Sequence, residues 1–260
     1  MNMRKGVLWA VGVVLALSSG AAGKAAGDDW QPLEIGFSWS YGVARDNLIT
    51  IGQQPGQTVH STGTSKTEVM GRSKQFKGPG TILEVVSAYQ EQASGGPARS
   101  VTVTNHLSKT EQGVFLYGQS TVGAPGVPSD LVTYRPPLQV FALPATPGLH
   151  WTVGAMRQGS MQLPTNAEVA GFESITGLTS KYDRCLKIHY TGTVSGSLPS
   201  PAGELPITGG SVDTTDYYAA GLGMVKEVSV VRVQFTLPNG MAGSSTQTTT
   251  RVLTKATVKS

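Results

Sequence analysis

The sequence predicts an all-β protein of mainly antiparallel, curved sheets, organised as two similar β units of half-barrel or sandwich-like form. Three observations carry this. Apolar residues alternate with polar ones at a period of two along most of the chain. The 33 glycines and 15 prolines fall at short intervals, as turns between strands require. Residues 36–42 (GFSWSYG) are echoed by residues 148–154 (GLHWTVG), each reading Gly, apolar, polar, Trp, polar, apolar, Gly.

The chain opens with Arg4 and Lys5, an apolar run at 7–17 (VLWAVGVVLAL) and the small residues SSGAAGKAAG. That is the order of a secretory signal peptide. The apolar run is about half of the roughly 20 residues a membrane-spanning helix needs, so a cleaved leader is preferred to an anchor. Ala21 and Ala25 suit cleavage after Gly23 or Gly27. Residues 1–27 are assigned as signal peptide, 28–140 as the N-terminal β unit and 141–260 as the C-terminal one. The expected location is the periplasm or the extracellular space, with no transmembrane span in the mature chain.

The full chain carries 20 basic and 16 acidic residues, a formal +4. Three of the basic residues, Arg4, Lys5 and Lys24, lie in the leader, which leaves 17 against 16, or +1. A near-neutral mature chain without a basic stripe argues against nucleic acid as a partner. The short run of Lys66, Arg72, Lys74 and Lys77 reads first as a solvated loop or strand edge. Cys185 is the single cysteine, so no internal disulfide forms, and its apolar strand makes it an inert core thiol with a partner contact as the alternative.

Along the mature chain, Leu33, Ile35, Phe37, Trp39 and Tyr41 share one strand face, and Leu149, Trp151 and Val153 repeat the pattern. Residues 81–93 (TILEVVSAYQEQA) fit a helix or a strand. Two further echoes, TEVMG at 67–71 with AEVAG at 167–171 and GVFLY at 113–117 with GMVKE at 223–227, keep the order of the first. The offsets of 112, 100 and 110 residues suggest an internal duplication. Its join is expected at residues 134–147, where Pro136, Pro137, Pro144 and Pro147 resist strand pairing. A Trp strand that opens each unit reads as a core anchor. The alternative is a ligand-stacking role, with Trp39, Trp151, Tyr217 and Tyr218 lining a concave face.

The search for chemistry finds little. Gly221 and Gly223 lack the third glycine and the following helix of a dinucleotide loop, and they read as a structural turn. In the strand after them the apolar parity slips between Val230 and Val231, which predicts a bulge there. No Gly-x-Ser-x-Gly elbow occurs, and Ser160 and Ser195 lack an identifiable base. The four histidines are scattered, so no zinc spacing appears and neither metal nor cofactor is expected. A set built on His189 with Asp183 or Asp213 has no support from spacing. Asp213 and Asp216 read as turn residues, and residues 244–250 (SSTQTTT) as a solvated turn and strand start.

The stretches DWQPLEIGFSWSY, LPATPGLHW, YDRCLKIHY and YYAAGLGMVKE resemble a group of exported bacterial proteins of unknown function. Their pattern is Pro-Leu-x-x-Gly-x-x-Trp near the mature start and Tyr-Tyr-Ala-x-Gly-x-Gly-x-Val-Lys near the end. Ala220 and Leu222 stand here where Pro and Val are expected. The resemblance implies a periplasmic or secreted β protein, with the curved half-barrel of lipoprotein carriers in some relatives, and supplies no catalytic residues. Three functions follow as expectations. The first is a non-catalytic envelope protein that binds an envelope protein or joins an assembly. The second is a carrier of an apolar ligand such as lipid or lipoprotein acyl chains, and the third a hydrolase with an unrecognised site.

Overall fold

The computed structural model describes residues 29–258 except 79, 95, 124–128, 130, 179, 201 and 202. The signal peptide assignment lies outside the described residues. Thirteen strands form one antiparallel sheet, curved until it is nearly closed. The first six run as a meander: β1 Ser38–Ile51, β2 Gln57–Arg72, β3 Ile82–Ala93, β4 Ala98–Thr110, β5 Gly113–Val122 and β6 Val132–Ala142. β7 His150–Gln158, β8 Met161–Thr176, β9 Lys181–Thr193, β11 Gly203–Ala219, β12 Gly223–Thr236 and β13 Ala242–Thr257 form a second set, and the short β10 Ser197–Ser200 pairs with β11. The stretch that fits helix or strand is β3. Val85 and Tyr89 point inward with Ser87 between them, a period-two placement that a helix cannot match.

The sheet order is β6-β5-β4-β3-β2-β1-β13-β12-β11-β9-β8-β7. The first and last strands of the described sheet, β1 and β13, zip together from Ser38↔Thr257 to Ile51↔Gly243. The two sets of strands therefore share one sheet and one main core, and the 140/141 boundary falls inside β6. At the other meeting of the sets, β6 and β7 lie side by side with no ladder among the described residues. Side chains bridge that seam. Trp151 Nε1 donates to Gln139 O (2.8 Å), Tyr190 Oη to Val140 O (3.1 Å), and Arg157 N to Tyr134 Oη (3.3 Å). The prolines interrupt the pairing of β6 on its β5 side. Pairing of β6 with β5 jumps from Leu138 to Thr133, passing Pro136 and Pro137, which have no N–H to donate.

The two sets repeat local geometry. Gly36 and Gly148 have φ of 89° and 87°. Gly36 N bonds Val69 O, and Val69 N bonds Phe37 O. Gly148 N bonds Val169 O, and Val169 N bonds Leu149 O. Trp39 and Trp151 then enter the first strand of each set. The register shifts at Val69/Gly71 in β2 and at Val169/Gly171 in β8, where the TEVMG and AEVAG echoes fall. Gly113 and Gly223 open β5 and β12, where the third echo falls.

Ile35 is 51 % exposed and does not share the buried face of Leu33, Phe37, Trp39 and Tyr41. Three further sequence expectations are corrected. Alternation runs unbroken through Val230 and Val231. Glu227, Ser229, Val231, Val233 and Phe235 all point inward, and the register shift lies lower, opposite Tyr217/Tyr218. Asp213 and Asp216 are not turn residues. Both lie in β11, and Asp216 is 1 % exposed. Residues 244–250 are in β13, with Ser245, Gln247 and Thr249 buried. In all three cases polar side chains occupy the interior.

Candidate functional site

Two of the stretches that carry the resemblance, residues 29–41 and 217–227, meet at one mouth of the sheet. Trp30, Gln31 and Leu33 cross it, all buried, with Trp30 5.8 Å from the Phe172 ring. Gly221 N donates to Asp29 O (2.7 Å), and Lys109 Nζ pairs with Asp29 Oδ1 (2.8 Å). Trp39 Nε1 donates to Leu222 O (2.6 Å), and Tyr41 Oη to Met224 O (3.2 Å). Gly221 and Gly223 have φ of 70° and 92°, a region that disfavours any Cβ. A Cβ on Gly223 would also stand 3.4 Å from Trp39 Nε1 and 3.5 Å from Pro32 Cδ. The motif residues thus plug the mouth with the chain's own N-terminal segment.

The four aromatic residues expected to line a concave face do not converge on one cavity. Trp39 is buried in the mouth. Half-buried Trp151 sits in the β6–β7 seam, its ring 6.2 Å from Tyr190. Tyr218 is buried with its hydroxyl on Asp216 Oδ2 (2.9 Å). Tyr217 lies between Lys187 and Lys226, whose ammonium groups stand 5.7 and 5.8 Å from its ring. Cys185 is fully buried, and burial pushes its thiol up to about 11, which leaves it a protonated core side chain.

Below the mouth lies a polar network that sequence reasoning missed. Arg251, 2 % exposed, makes a two-pronged pair with Glu227, with Nε–Oε1 at 3.1 Å and Nη2 on Oε2. Its Nη1 donates to Tyr89 Oη (2.9 Å), and its guanidinium stands 5.6 Å from the Tyr41 ring. One side chain of β13 thereby ties β12, β3 and β1 together. Burial works against the Arg251 charge, but the adjoining Glu227 outweighs it and the guanidinium stays protonated. Burial, reinforced by the Glu227 charge, holds the Asp216 carboxyl well above the usual carboxylate range. Its Oδ1 has no hydrogen-bond partner. Burial likewise pushes the Tyr89 phenol up to about 12. The hydroxyl pairs Thr67–Ser87 (2.9 Å) and Thr214–Ser229 (2.7 Å) continue the inward polar rows. The available signal was the inward parity of Glu227 and Ser229, but only the register distinguishes an inward polar row from an outward one.

On a different stretch of sheet, His150, Glu168 and His189 lie directly opposite one another across β7, β8 and β9. His189 Nε2 is 3.2 Å from Asp213 Oδ1 and its Nδ1 3.5 Å from Glu168 Oε1. Asp183 instead pairs with Lys181 (2.9 Å). Both ring nitrogens of His189 thus face carboxylates. Among the described residues no group of three His, Cys, Asp or Glu side chains has the geometry to hold a metal ion. The arrangement defines a curved antiparallel sheet protein with a plugged mouth and a closed ionic network. Comparison with known families, curated proteins and solved structures finds no match to this chain.

Proposed function

We propose that this chain is a non-catalytic exported envelope protein that works through its outer surface, in a binding or assembly role. The observation that carries this reading is the occupied interior. Trp39 and Tyr218, offered as ligand contacts by the sequence, are 3 % and 1 % exposed and hydrogen-bonded to the chain itself. An apolar cargo would have to displace these bonds and the Arg251–Glu227 pair. Export rests on the leader-like residues 1–27. No helix among the described residues is long and apolar enough to cross a membrane. The exposed Asp46, His60 and Lys66 on β1 and β2 also speak against a lipid-facing band on those strands. We further read the repeated local geometry as the trace of an internal duplication, supported by Gly36/Gly148 and by the matched register shifts.

Native mass spectrometry of the full chain purified from its own envelope tests the reading. The expected spectrum shows the polypeptide without retained lipid. A stoichiometric lipid or acyl chain would establish the carrier function instead.

A further inference from the structure

The connection between β2 and β3 is longer than its counterpart and differently charged. Residues 73–81 join β2 to β3, whereas four residues, 177–180, join β8 to β9. The longer loop is fastened to the sheet at several points. Ser73 N donates to Ile82 O (2.8 Å), and Ser73 Oγ lies 2.9 Å from His106 Nδ1. Phe76 packs 4.8 Å from the His106 ring and 6.4 Å from Tyr117. It sits where a Cβ on Gly118 would come within 2.4 Å of it, so the glycine makes room for the ring. Gly78 touches Tyr117 in the same way, where a Cβ would stand 3.0 Å from the ring. Burial lowers the His106 pKa, so this histidine anchors the loop as a neutral side chain.

The anchored loop frames a cleft of about 240 Å³ lined by Arg72, Ser73, Phe76, Lys77 and Thr81. Arg72 and Lys77 are exposed there, and Lys74 is exposed beside them in the chain. Among the described residues none of the three has a carboxylate within salt-bridge distance, while Lys66, Lys109, Lys181 and Lys187 each have one. Glu84, the acid across the ladder, pairs with Gly71 and lies opposite His106. A guanidinium at the end of β2 and an ammonium group on the pre-fastened loop fit a doubly charged oxyanion, because little ordering entropy is lost on binding and each donor is charge-assisted.

We infer that the cleft between β2 and β3 binds a phosphate group, presented either by a soluble phosphate ester or by an anionic lipid headgroup. This goes beyond the outer-surface reading and stands on separate residues.

The test uses the full chain and two probes at fixed ionic strength. Inorganic phosphate is titrated by calorimetry, and vesicles of phosphatidylglycerol with phosphatidylcholine are compared with phosphatidylcholine alone by co-sedimentation. Saturable binding of at least one probe is expected. It should weaken at least about tenfold in Arg72→Gln/Lys77→Gln, the loss of one or more charge-assisted bonds, and less in Lys74→Gln. Lys181→Gln, at the tip of the β8–β9 hairpin, should leave it unchanged. Phosphate binding without vesicle binding assigns a soluble ester, and vesicle binding lost in the double variant assigns a headgroup. All four positions are exposed, and an unchanged melting temperature without phosphate certifies each fold. Equal binding by wild type and double variant, or no binding of either probe, overturns the proposal. Neither outcome bears on lipid retained in the interior.

Discussion

The two sets of strands meet twice, and the two meetings are made differently. At β1–β13 the backbone carries the junction, with fourteen residues of β1 paired to β13 across one bulge at Ser40/Tyr41. At β6–β7 three side chains reach across, from Trp151, Tyr134 and Tyr190, and no ladder forms among the described residues. Local geometry recurs at Gly36 and Gly148, but the closure differs. β6 also carries Pro136 and Pro137, which interrupt its pairing with β5 between Leu138 and Thr133. The difference also sets what each junction holds. β13 delivers Arg251, Thr249 and Gln247 into a polar interior, while the seam is packed with Leu138, Phe141, Val153 and Trp151.

The largest effect is expected where the zipped junction holds the ionic network. Arg251→Met leaves Glu227 buried without its partner beside Asp216. We expect a loss of about 3–5 kcal/mol in urea unfolding, the cost of breaking a buried pair from one side. A loss under about 1 kcal/mol would mean the network contributes little to holding β13 against β3.

A second variant probes the same region by pH. The Asp216 carboxyl is held above its unfolded pKa of about 3.9. The folded state therefore keeps a proton that the unfolded chain releases. The stability this group supports is complete below about pH 4 and declines as pH rises toward the folded pKa, by up to about 1.4 kcal/mol per pH unit. Asp216→Asn keeps the shape and removes the titration. Denaturation at pH 5 and pH 7 should show the variant flatter than wild type and more stable relative to it at pH 7. Identical slopes would show that Asp216 ionises normally.

How much of this the sequence revealed follows from which signals are local. Period two and the Gly-x-x-Trp repeat are local, and they led to the strands and to the buried place of Trp39. Parity failed at Val230/Val231 because Glu227 and Ser229 share the inward row. Their partners, Arg251 and Thr214, are 24 and 15 residues away in sequence. Asp216 read as a turn former for the same reason: acids are depleted in strands, and only its place opposite Glu227 in the β11–β12 ladder shows why one is buried. The plug was half legible. The two motifs stood out, but their contact spans 183 residues from Trp39 to Leu222.

Smaller changes sharpen the contrast between the junctions. Trp151→Phe removes the N–H that reaches Gln139 O and keeps most of the ring. We expect a loss of about 1–2 kcal/mol in denaturant unfolding. No change would show that water replaces the bond and that the seam is held by packing alone. Gly223→Ala places a Cβ at φ 92° beside Trp39 and should cost roughly 1 kcal/mol or more. A melting temperature that rises would show that the mouth tolerates a Cβ.

Native-state hydrogen exchange at single-residue resolution tests the unequal closure most directly. Amides that pair β1 with β13 should exchange only through global unfolding. Amides of β7 and the β7-facing amides of β6 should open at a clearly lower free energy, and Trp151→Phe should speed those and leave β1 and β13 unchanged. Equal protection at both junctions, or earlier opening at β1–β13, would contradict the account.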